Sequence, residues 1–172
     1  MAKVITAPDK ETVALSYSIF LAGSIEMGKA EHWQDRVIGL FEGWPVTIYN
    51  PRRKDWDSTW VQSIENEQFY NQVAWEQQKL RHAKAVIVYF DPETKSPITL
   101  MELGQVIGRR TSYSSAAAAQ TIGYPQYQHI YVCCPDGYWR KGNVDFMCTD
   151  NNIPMFDNLY SLVVQVKKDA IR

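Results

Sequence analysis

The stretch spanning residues 85–104 constrains the fold more than any other part of the chain. Residues 85–90 form a short, unbroken apolar and aromatic run. Such a run is expected of a parallel strand covered on both faces, since alternation is lost when neither face meets water. Asp91 follows at the carboxyl end of that strand, where open α/β sheets bind ligands. Residues 92–97 make a tight loop. Ser96 and Pro97 then suit a helix opening, with Ser as the cap and Pro at the first helical position. Leu100, Leu103 and Ile107 would form the apolar stripe of that helix, and Glu102 falls off it. An off-stripe glutamate faces either solvent or a cleft, and spacing alone favours solvent.

The rest of the chain repeats the same alternation. Residues 1–13 read as a polar lead-in and 14–22 as a first strand. A turn at 23–28 leads to a helix over 29–42, and 45–49 form a second strand. A polar, aromatic loop at 52–58 precedes a long helix that starts at Thr59 or Ser63 and ends at His82. After the helix bearing Glu102, residues 111–128 are rich in Ser, Ala, Gln and Tyr and read as a long loop or lid. Residues 129–134 are a fourth strand, 144–148 a short fifth, and 158–170 a closing helix. Strand and helix in strict alternation imply βαβ units. The expected fold is α/β: one flavodoxin-like domain, 1–172, with a doubly wound sheet of about five mostly parallel strands flanked by helices.

The 172 residues carry a formal net charge of -1, which argues against a broad electrostatic footprint for duplex nucleic acid. Cys133, Cys134 and Cys148 are odd in number, two of them adjacent. That is neither a disulfide framework nor a metal-ligand spacing, and it fits reduced core thiols in the cytoplasm. His32, His82 and His129 show no metal or triad spacing. No stretch has the make-up of a secretory leader or the length of a membrane span. A soluble cytoplasmic domain without metal or organic cofactor is expected.

In a parallel sheet, the turn after the first strand (Gly23, Ser24), the loop after the second (residues 50–57) and Asp91 all open on one edge. Glu76 and Glu102 can reach that edge from adjoining helices. A glycine-containing turn running into a helix offers backbone N–H groups to an anion. Paired carboxylates suit chemistry at an anomeric carbon: one attacks or stabilises positive charge, while the other handles a proton.

Several runs carry a resemblance to the nucleoside 2-deoxyribosyltransferase family. They are residues 21–25 with Gly23 and Ser24, residues 50–53, Trp75-Glu76, and residues 96–104 with Met101-Glu102-Leu103-Gly104. The similarity extends over most of residues 15–150. It implies that Glu102 is the nucleophile attacking C1′ of a 2′-deoxynucleoside. It implies further that Glu76, where the family more often has Asp, orients the sugar, and that Asp91 handles the base or its proton. Phe20 matches a first-strand aromatic of some members. Candidate substrate contacts are Gly23, Ser24, Phe20, Asn50, Arg52 and Trp56. The implied reaction is transfer of deoxyribose from one nucleobase to another through a deoxyribosyl-glutamate ester. The implied partners are a small deoxynucleoside or deoxynucleotide, a free nucleobase and further copies of the chain. Hydrolysis of deoxynucleoside 5′-monophosphates and non-catalytic nucleotide sequestration are the alternatives.

Overall fold

In the computed structural model the described residues are 1–9, 17–26, 29–53, 57, 59–112 and 128–171, with the side chains of 111 and 112 excepted. Among them are six strands: β1 (Lys3–Thr6), β2 (Tyr17–Gly23), β3 (Val46–Asn50), β4 (Ala85–Tyr89), β5 (His129–Cys133) and β6 (Met155–Phe156). Five helices accompany them: α1 (Trp33–Leu40), α2 (Glu67–His82), α3 (Pro97–Ser112), α4 (Lys141–Asp150) and α5 (Leu159–Ala170). All strand pairs are parallel, in the order β1-β3-β2-β4-β5-β6.

The sheet is doubly wound because each face buries its own apolar set. One face packs under Trp75 and Leu80 of α2, Leu103, Val106 and Ile107 of α3, and Val144 and Cys148 of α4. The opposite face packs under Trp33 and Val37 of α1 and Leu159, Leu162, Val163 and Val166 of α5. Every residue of β3 and β4 is buried, which accounts for the unbroken apolar sequence of β4; β3 buries Thr47 and Asn50 among its apolar residues. The direction of winding reverses between β2 and β4, so a crevice is expected at their carboxyl ends.

The sheet has six strands rather than about five, and the difference lies at its edges. β1 falls in the stretch that reads as a polar lead-in, because of its four residues only Ile5 is buried deeply. β6 is two half-buried residues long. Residues 144–148, expected as a strand, belong to helix α4. Val144 and Cys148 are four residues apart and both buried, as on one helix face, whereas Phe146 between them is 70% exposed. Helix α1 starts at Trp33 rather than residue 29. Helix α2 starts at Glu67, where the Asn66 side chain accepts the Phe69 N–H at 2.9 Å. Residues 113–127, nearly all of the expected loop or lid, lie outside the described residues.

Candidate active site

The carboxyl edge between β2 and β4 is built from hydroxyls. Gly23 pairs in register with Tyr89, and the Ser24 N–H donates to the Tyr89 carbonyl at 3.0 Å. The Ser24 hydroxyl accepts the Asp91 N–H at 2.9 Å and the Thr94 hydroxyl at 3.0 Å, and shares a short contact with the Ser96 hydroxyl. Glu26, in a left-handed conformation at φ 39°, accepts the N–H groups of Lys95 and Ser96 at 2.6 and 2.7 Å. The turn after β2 and the loop after β4 are thereby locked together. Helix α3 does begin at Pro97, as expected. The Ser96 hydroxyl, however, joins Ser24 and Thr94.

Glu102 is not off the stripe. The buried positions of α3 are Thr99, Glu102, Leu103, Val106 and Ile107, and Leu100 is only half-buried. The helix is rotated so that a glutamate and a threonine share its inner face, and Glu102 is 7% exposed. Burial, and next the charge of Glu76, push its carboxyl up to about 8. Glu76 projects from α2 into the same region. Its carboxyl is raised by burial and drawn back down by a hydrogen bond from Gln72. The two glutamates are therefore electrostatically coupled in a largely desolvated region.

Gln72 escaped the sequence reading. It is buried, and its amide nitrogen donates to the Glu76 Oε1 at 2.8 Å and to the Pro51 carbonyl at 3.0 Å. Its amide oxygen faces the Arg53 guanidinium at 3.5 Å. The signal was available in α2: Gln72, Trp75, Glu76 and Lys79 recur at i, i+3, i+4 and i+7, so three polar residues share the stripe of a buried tryptophan.

The other expected site residues fall in different places. Asp91 stands at the β4 end, but its Oδ2 accepts the Glu31 N–H at 2.9 Å and its Oδ1 the Glu93 N–H at 3.0 Å. Both oxygens thus brace loops. Phe20 is fully buried in the core of the α2–α3 face. Gly23 is required by packing, since a Cβ there would lie 2.5 Å from Trp33 Cζ2 and 2.7 Å from the Tyr89 carbonyl oxygen. The Asn50 side chain accepts the Arg52 N–H at 3.0 Å. The Arg52 guanidinium donates to the carbonyls of Glu31 and Ala30 and to Gln34, tying the loop after β3 to the approach to α1. Trp56 lies outside the described residues. A pocket of about 370 Å³ lies elsewhere, against Ile64, Phe69, Tyr70 and Val73 around α2. The three cysteine thiols are unpaired and buried, each pushed up to about 12 chiefly by burial. Among the described residues no cluster is suited to a metal, and no helix is long and apolar enough to cross a membrane.

In a doubly wound α/β fold, perturbed carboxyls near the switch point mark where a small ligand would be expected. The family model described as nucleoside 2-deoxyribosyltransferase-like matches residues 16–117, more than half of the chain, and the protein belongs to that family. The matched span runs from β2 through α3 and includes both glutamates, Gln72 and the hydroxyl cluster. No curated protein matches the chain. Membership points to glycosyl-transfer or N-glycosidase chemistry on nucleoside-type small molecules.

Proposed function

We propose that the protein cleaves the N-glycosidic bond of 2′-deoxynucleosides or deoxynucleotides and transfers the sugar to another nucleobase. The observation that carries this reading is the coupling of half-buried Glu76 to buried Glu102, with Glu102 pushed up to about 8. A carboxylate that burial and a like charge destabilise is a strong nucleophile toward carbon once ionised. In the first half-reaction the ionised Glu102 approaches C1′ on the face opposite the base. Its carboxylate oxygen bonds to C1′ as the C1′–N bond breaks. The products are a neutral deoxyribosyl ester of Glu102 and the base anion, which takes a proton from water on its own face, so atoms and charge balance. A second base, having given its N–H proton to water, reverses the step and frees Glu102 as the carboxylate. Two displacements give retention at C1′.

In this reading Glu76 stays ionised throughout, orients the sugar and stabilises the oxocarbenium-like charge as it develops. A 2′-deoxy sugar suits so sparse a site, because no 2′-hydroxyl withdraws electron density from that cation. Asp91, held by two backbone N–H groups, shapes the loop on the base side. The hydroxyl cluster of Ser24, Thr94 and Ser96 gives that loop its form. Exposed apolar side chains around α2 and α3, Ile64, Tyr70, Ile98 and Met101, are assigned to contact with a second copy of the chain. Sedimentation of the purified protein reads that association directly. The buried, unpaired thiols accord with the reducing cytoplasm.

The test is incubation of the protein with each common deoxynucleoside and a different free base. New deoxynucleoside is the expected product. Free base and sugar without an acceptor would instead indicate a hydrolase. Tight binding that survives Glu102→Ala, with no turnover by the intact chain, would indicate a sequestering protein. A slow 2-fluorinated substrate should leave a sugar adduct on Glu102 by mass spectrometry, and an adduct on another residue would overturn the assignment.

A further inference from the structure

We infer that Gln72 is a positioning residue, which clamps Glu76 as a hydrogen-bond acceptor and so holds it as the charged partner beside which Glu102 ionises. The inference rests on the functional reading above and extends it to a residue outside the carboxylate pair.

The geometry leaves the amide one orientation. A glutamine amide has two N–H donors and one acceptor oxygen. Both donors are engaged, one by the Pro51 carbonyl at 3.0 Å and one by Glu76 Oε1 at 2.8 Å. Turning the amide over would set its oxygen against two acceptors and its NH₂ against the Arg53 guanidinium, three mismatches at once. Gln72 is 2% exposed, so water does not compete for these bonds. The Pro51 carbonyl belongs to the loop after β3, which Arg52 ties to the carbonyls of Glu31 and Ala30. The amide is therefore anchored to backbone on one side and presents a fixed N–H to Glu76 on the other.

Among the described residues, the charged and titratable groups on the neighbouring elements have partners of their own, and Arg53 holds the Gln72 amide oxygen and lies over the Trp60 ring. Lys79 on α2 lies over the rings of Tyr49 and Trp75, with Asp9 acting on it. Asp91 at the end of β4 takes the N–H groups of Glu31 and Glu93. Glu102 on α3 meets the like charge of Glu76. A directed donor at Glu76 favours ionisation there, so Glu102 ionises and attacks beside a carboxylate whose charge and orientation are already fixed.

Gln72→Met keeps the length and apolar stem of the side chain but removes the amide. Gln72→Asn keeps an amide too short to span both partners. The pH dependence of kcat/KM for base exchange is measured for the wild type and both variants. Loss of the donor destabilises the doubly ionised pair, so the limb on which kcat/KM rises with pH should move up by about one pH unit. A general loosening of the fold would lower the plateau without moving the limb, and that result would overturn the inference. A second measurement needs no turnover: a ¹³C titration of labelled glutamate carboxyls, assigned with Glu76→Gln and Glu102→Gln. In the wild type Glu76 should titrate below Glu102, and in Gln72→Met its titration should rise. The reverse order in the wild type would overturn the inference even where neither variant folds. A wild type with no base exchange but with this titration order would sink the transfer reading and leave the role of Gln72 standing.

Discussion

Replacing Glu102 by Gln should abolish transfer and make the protein more stable, by an amount that depends on pH. In the unfolded chain a glutamate titrates near its ordinary value of 4.5, whereas in the fold Glu102 is pushed up to about 8 by burial and then by Glu76. The folded state thus prefers the neutral acid. The stability this group contributes is fully present below 4.5 and is lost as pH rises through about 8. At about 1.4 kcal/mol per pH unit, the interval from 4.5 to about 8 sets an upper bound of roughly 5 kcal/mol. Relaxation of the site around the ionised pair reduces that bound, and about 2–3 kcal/mol is the expected difference at pH 8.

Glutamine keeps the shape of the side chain and is neutral throughout, so Glu102→Gln escapes the loss. Urea melts at pH 4, 6 and 8 measure it. The variant and the wild type should coincide at pH 4. The variant should lead by about 2–3 kcal/mol at pH 8, a Tm difference of roughly 4–12 °C for a chain of this size. A lead that is flat from pH 4 to 8, or a wild type more stable at pH 8, would refute the account of Glu102 as a buried acid strained by ionisation. Stability gained where activity is lost is the pattern of a residue placed for chemistry rather than for folding.

The wild-type kcat/KM for exchange should rise about tenfold per unit up to about 8, where Glu102 ionises, and level off above it; a profile already level at pH 6 would contradict this. Glu76→Gln removes the charge that acts on Glu102, so the same limb should move to lower pH, opposite in sense to the Gln72 variants. Gly23→Ala should destabilise by about 1–3 kcal/mol by urea melts, because its methyl meets the Trp33 ring and the Tyr89 carbonyl. Near-UV circular dichroism should also register the displaced indole, whose N–H now donates to the Ser24 carbonyl at 3.0 Å.

How far the sequence discloses this protein depends on whether one residue pattern admits two periods. β4 was legible because five buried residues in a row fit a strand covered on both faces. α5 was legible because Leu159, Leu162, Val163 and Val166 fit only a helix, and Asn158 caps it. Residues 144–148 were not. Val144, Phe146 and Cys148 alternate as in a strand, while Val144 and Cys148 alone repeat as in a helix. What decides between them is the exposure of Phe146, which five residues of sequence do not contain.

The same limit hid the nature of Glu102. Stripe counting rewards apolar residues, so Leu100 was assigned to the inner face of α3 and Glu102 was left outside it. The helix instead buries Thr99 and Glu102, at the expense of a more favourable apolar face, and exposes Met101 and Ile98. α2 repeats the pattern with Gln72 and Lys79 buried beside Trp75. Two facing helices that both place polar side chains inward, where Leu or Val would pack more stably, violate the rule by which helices are read from sequence. They violate it at one locus, and that locus is where the two carboxylates meet. A polar inward stripe on each of two consecutive helices flanking one strand is therefore the most informative departure in this chain, because folding alone gives no reason for it.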